Sequence, residues 1–112
     1  MEFDSNRPIY LQIADNICER VLSGELKASD RIPSVREWGA KIGVNPNTVV
    51  RSYEVLVSKG VIFNQRGMGF FIAGDAVDVI KQSERRKFIE EELPAFKNKA
   101  DLLGIQLKDY IK

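Results

Sequence analysis

Arg36, Asn45, Asn47, Thr48, Arg51 and Arg66, with Gly67 and Gly69 beside the last, are the residues whose types and spacing suggest chemistry. That chemistry is recognition rather than catalysis. A guanidinium offers a planar fork of donors that suits a phosphate or a guanine edge. Short amides and hydroxyls within one helical turn can reach base edges, and glycines let a backbone approach a sugar-phosphate strand closely. Catalysis finds no comparable set. The chain has no histidine and a single cysteine, Cys18, so the commonest general base and any ordinary zinc site are missing. There is no glycine-rich phosphate loop and no nucleophile-base pair. Neither enzymatic activity nor a metal or cofactor is expected.

The net charge of +1 is uninformative as a total, but its distribution is not. From Arg31 to Gly67 there are six basic residues (Arg31, Arg36, Lys41, Arg51, Lys59, Arg66) against two acidic ones (Glu37, Glu54), a local net of +4. A phosphate-facing surface leaves this footprint, and so can a solvated face. No apolar run is long enough to span a bilayer, and the first residues lack the basic-then-apolar pattern of a signal peptide, so a cytoplasmic location is expected. Cys18 reads as a small core hydrophobe.

Stepwise punctuation defines the elements that must position these side chains. Pro8 opens a helix whose apolar positions Tyr10, Ile13, Ala14, Ile17 and Val21 make one buried stripe, and Gly24 stops it. Ser34-Val35-Arg36-Glu37 has the form of a capping box, opening a short helix that ends at Gly43. After the turn Gly43-Val44-Asn45, Asn45 and Pro46 have the chemistry of an N-cap and a first helical position. The new helix turns Val49, Val50, Tyr53, Leu56 and Val57 inward and stops at Gly60. Two helices joined by a tight glycine-containing turn spell a helix-turn-helix. The β-prone triplets 61–63 and 70–72 flank a polar tip at 64–69, which predicts a hairpin and hence a wing.

Beyond Gly74 the pattern is helical. Ile89, Leu93, Phe96, Ala100, Leu103, Leu107 and Tyr110 recur at alternating intervals of four and three, a short heptad seam suited to dimerisation. Pro94 and Gly104 interrupt it, predicting a kink or two helices near Leu93 and a short last turn. The fold class expected is mainly α with a small β-hairpin: a winged helix-turn-helix domain over 1–74 and a short C-terminal helical dimerisation tail over 75–112.

These pieces resemble the DNA-binding domain of the GntR superfamily of bacterial transcription regulators over positions 8–73. The matching residues are Pro8-Ile9-Tyr10-Leu11-Gln12-Ile13, Ser23-Gly24-Glu25-Leu26, Ile32-Pro33-Ser34-Val35-Arg36-Glu37, Ile42-Gly43-Val44-Asn45, Thr48-Val49, Leu56, Gly60 and Gly67-Met68-Gly69-Phe70-Phe71. Most such proteins append a large effector-binding domain, for which the 39 residues from 74 to 112 are too few. A short helical tail resembles the YtrA subfamily, whose members dimerise through C-terminal helices. Asn45-Pro46-Asn47-Thr48 also resembles that subfamily, most other members having arginine where Pro46 stands. The family's frequent arginine one residue before Arg51 is Val50 here.

The resemblance implies a homodimer that regulates transcription, as a repressor, by reading an inverted-repeat operator in double-stranded DNA. The second helix of the motif enters the major groove and the wing meets the adjacent minor groove. Arginines similar to Arg36 contact DNA in the family, and Arg36 is read as such a contact, the alternative being a surface salt bridge to Glu37 or Glu54. Asn45 can serve as cap or contact; Asn47, Thr48 and Arg51 are read as contacts, and Arg66, Gly67 and Gly69 as the wing tip. Lys41 and Lys59 are secondary phosphate neighbours. Tyr10, Trp38, Tyr53 and Phe71 are expected in the core rather than as stacking platforms. The alternative function is a winged-helix protein-interaction module. No membrane partner is implied, and nothing in the residues designates a small-molecule effector.

Overall fold

The computed structural model describes residues 2–111 and divides into two compact units on either side of the Ile80–Lys81 bond. In the first unit, α1 (Ile9–Leu22) buries Ile13, Ala14, Ile17 and Val21. Pro8 stands one position earlier than expected, as the cap, its carbonyl accepting from the Leu11 and Gln12 amides. The short α2 (Val35–Ile42) opens on a complete capping box. The Glu37 amide donates to Ser34 Oγ (3.2 Å) and the Ser34 amide to Glu37 Oε1 (3.3 Å). Gly43 ends it in the left-handed conformation at φ 72°.

After the turn, α3 (Pro46–Ser58) begins with Asn45 capping it and Pro46 in its first turn, where a missing amide hydrogen is harmless. A three-stranded antiparallel sheet completes the unit: β1 (Arg31–Ile32), β2 (Ile62–Gln65) and β3 (Gly69–Ile72), in the order β1-β3-β2. The hairpin strands extend farther toward the tip than expected, leaving only Arg66-Gly67-Met68 between them. The first strand was not anticipated, since two residues carry no alternation to read.

One apolar cluster joins α1, α2, α3 and the sheet around Trp38, Tyr53, Ile17, Leu56 and Ile72. Cys18 packs half-buried against it, as expected. Tyr53 is held by its own hydroxyl, which donates to the Pro33 carbonyl (2.6 Å). Burial, reinforced by the nearby Glu37 carboxylate, raises the Tyr53 pKa well above the usual phenol value. Two expectations about the core need correction. Val50 and Val57 do not face inward; they are 36% and 42% exposed. At about 100° per residue they fall on the flank of a helix whose core face is set by Val49, Ser52, Tyr53 and Leu56. Tyr10 and Phe71 are only half-buried, Phe71 stacking against Phe63 at 5.8 Å.

The helix α4 (Ala76–Lys87) places Ala76 and Ile80 in the first unit's core. In the second unit a π-helical turn, Phe88–Glu92, precedes α5 (Leu93–Leu102), and a 3-10 turn spans Leu107–Asp109. Pro94 lies in the first turn of α5. It has no amide hydrogen and crowds the carbonyl four residues back, so a widened turn just before it relieves both problems. The seam residues therefore do not share one regular helix. Leu93, Phe96 and Ala100 lie on α5, Ile89 in the π turn, and Leu107 in the 3-10 turn, with Leu103 capping the end of α5 and Tyr110 the end of the 3-10 turn. Among the described residues, no helix is long and apolar enough to cross a membrane.

Candidate nucleic-acid interface

The turn between α2 and α3 brings the candidate site together. Gly39 allows its tightness: a Cβ there would lie 2.6 Å from the Val44 carbonyl oxygen, while the Val44 amide donates to the Gly39 carbonyl. At the start of α3, Asn45 Oδ1 accepts from the Asn47 amide (2.9 Å). Asn45 is thus a working cap, and its side-chain oxygen is already engaged. Asn47 is exposed and Thr48 half-buried on the leading turn, with Arg51 exposed one turn further along.

Arg51 is not a free arm. Its guanidinium carbon lies 4.1 Å from the centroid of the Tyr10 ring. Arg36 is exposed near the start of α2 and forms no ion pair with Glu37 or Glu54. Among the described residues the ion pairs are Arg7–Asp15 and Arg20–Glu25. All six basic side chains between positions 31 and 66 are exposed, and none has a carboxylate partner among the described residues. The local positive charge is thus left to the surroundings rather than neutralised internally.

The wing tip is a tight turn in which the Met68 amide donates to the Gln65 carbonyl (2.9 Å). Gly67, at φ 78°, holds the third position of that turn, where positive φ favours glycine. Arg66 stands exposed beside it. A residue absent from the sequence-derived set supports the tip from below. Arg31, on β1, donates from Nε to the Met68 carbonyl (3.0 Å) and fills the space beside Gly69, where a Cβ would lie 3.1 Å from that same nitrogen. Arg31 counted toward the local charge, but its place against the wing follows only from β1 pairing with β3.

A family model described as bacterial regulatory proteins, gntR family, matches residues 9–72. The chain belongs to the GntR family. It is 44% identical over 91 residues to the HTH-type transcriptional regulator YhcF of Bacillus subtilis, covering 80% of this chain and 75% of that protein. To the HTH-type transcriptional repressor YtrA of Bacillus subtilis it is 36% identical over 104 residues, covering 93% and 79% respectively. A crystal structure of a GntR-family regulator from Bacteroides thetaiotaomicron superposes with TM-score 0.77 at 46% identity, over 90% of this chain and 87% of that one. The AraR DNA-binding domain, solved in complex with operator ORR3, superposes with TM-score 0.58 at 29% identity, over 65% and 86%.

This GntR chain is accordingly a transcription regulator and not an enzyme, with YtrA-type proteins among its relatives. Its helix-turn-helix and wing are those of a winged-helix DNA-binding domain. Arg36, Asn47, Arg51 and Arg66 all lie exposed on this one unit.

Proposed function

We propose that the chain is a sequence-specific repressor that binds an inverted-repeat operator as a homodimer in the cytoplasm. In this reading α3 enters the major groove with Asn47, Thr48 and Arg51 toward the bases, Asn45 near the backbone, and Arg36 on phosphate. The wing lays Arg66, Gly67 and Gly69 along the adjacent minor groove. The observation that carries it is the set of exposed basic side chains without carboxylate partners, on a helix-turn-helix whose leading turn is polar. Such a surface attracts phosphate, and the amide-bearing helix start suits it.

The second unit supports the dimer. Ile89, Leu93, Phe96, Leu103 and Tyr110 are exposed, while Ala100 and Leu107 are covered or partly so. Of these, Phe96, Ala100, Leu103, Leu107 and Tyr110 line a largely apolar groove of about 470 Å³ together with Lys99, Ile105 and Ile111. So much exposed apolar surface on 32 residues calls for a covering partner, and a second copy with the same surface provides one.

Selection of bound fragments from random duplex DNA, followed by sedimentation of the complex, tests both parts. The expected result is a palindromic site with half-sites about one helical turn apart, or a multiple of that, bound by two chains. Binding without sequence preference would overturn the specific reading. A single chain saturating the site would overturn the dimer. No DNA binding at low salt would favour a protein-interaction module instead.

A further inference from the structure

Val50 lies outside the buried core of the fold. It lies one residue from Arg51 and three from Asn47, in the second turn of α3, and is 36% exposed rather than buried. A β-branched residue adds nothing to helix propensity at such a site. Its flank of α3 looks onto an open groove lined by Val50, Tyr53 and Val57 from the helix, Val35 from α2, and Asn64 and Phe70 from the hairpin. It thus stands on the side of α3 nearer the wing, and in sequence between Asn47 and Arg51. An apolar surface at that height in a major groove has one apolar feature to meet, the C5-methyl group of thymine.

We infer that Val50 is a specificity-determining residue that selects a thymine in each operator half-site by packing against its C5-methyl group. This rests on the reading of α3 as the major-groove helix. The selection is steric and hydrophobic. The γ-methyls of Val50 and the thymine methyl leave water together, and cytosine or a purine at that position presents no methyl. A polar side chain would hydrogen-bond base edges instead and lose this preference.

Uracil tests it, because it keeps every hydrogen bond of thymine and lacks only the methyl. Each thymine of the selected operator is replaced in turn by uracil, symmetrically in both half-sites, and affinity is measured for the wild type and for Val50→Ala. At one position, uracil is expected to weaken wild-type binding about fourfold per half-site, the effect of one buried methyl group. Val50→Ala should bind the uracil and thymine operators there alike. Three results overturn the assignment: a selected half-site with no fixed thymine, indifference of the wild type to uracil everywhere, or Val50→Ala as sensitive as the wild type. Failure to select any sequence would bring down the DNA reading itself, and this inference with it. A uracil-indifferent operator leaves that reading standing.

Discussion

The guanidinium of Arg51 lies over Tyr10 with its central carbon 4.1 Å from the ring centroid, joining α3 to the first turn of α1. A second link runs beside it, the buried Ser52 hydroxyl donating to the Tyr10 carbonyl (2.7 Å). The contact narrows the directions an otherwise flexible arginine can take, so in the proposed reading less freedom would be lost on meeting DNA. In the proposed reading Tyr10 would act as a positioning residue, through Arg51.

Replacing Tyr10 with leucine should therefore weaken operator binding by about 0.5–1 kcal/mol, the scale of an exposed cation–π contact. Tyr10→Phe should stay near wild type. Fluorescence anisotropy on the single and double variants with Arg51→Ala gives the coupling directly. If Tyr10→Leu weakens binding equally with and without Arg51, the stack has no part in aiming it.

The wing should depend on Arg31. Arg31→Met keeps the stem beside Gly69 but deletes the hydrogen bond to the Met68 carbonyl. Faster amide exchange is expected at residues 65–69, with a loss of DNA affinity of about 1 kcal/mol. Unchanged exchange at the tip would show that the hydrogen bond does not hold it.

Two glycines of the helix-turn-helix should respond differently to alanine. At Gly39 a Cβ meets the backbone oxygen of Val44, which cannot move without opening the turn. Gly39→Ala should destabilise the fold by about 1–3 kcal/mol. Gly43 faces open space, and its φ of 72° makes Gly43→Ala a matter of local strain, about 1 kcal/mol. Urea denaturation of both variants orders them, and a larger loss at Gly43 would refute the close-approach argument.

Stability should fall at high pH through Tyr53. Its folded pKa is raised, so the native state holds the proton more tightly than the unfolded chain does. The sign follows from proton linkage. This contribution is complete below the unfolded value of about 10 and declines as pH rises above it, where the unfolded phenol ionises first. Tyr53→Phe should flatten the decline between about pH 10 and 11, while losing some stability at neutral pH with the hydrogen bond to Pro33. Denaturant titrations at neutral and alkaline pH check it; equal slopes for both proteins would contradict it.

Much of the architecture was legible because its signals are local. Ser34 and Glu37 form the capping box within four residues, Asn45 and Pro46 start α3 on their own chemistry, and Gly43 and Gly67 sit where a positive φ is required. Asn45 and Gly67 of the candidate interface were legible for the same reason, since they mark the start of α3 and the turn of the hairpin.

What the sequence determined alone was the order of the first three helices and the hairpin, the caps of α2 and α3, and the polar character of the leading turn of α3, since each depends on residues a few positions apart. Tertiary packing decided the rest. Only the pairing of β1 with β3 sets Arg31 under the wing, and only the rotation of α3 against the core turns Val50 outward while Val49 goes in. Only the approach of α1 to α3 gives Arg51 its ring. Periodicity marks a helix's apolar face to within about one residue's rotation, and the side chains at the edge of that face are assigned by what packs beside them.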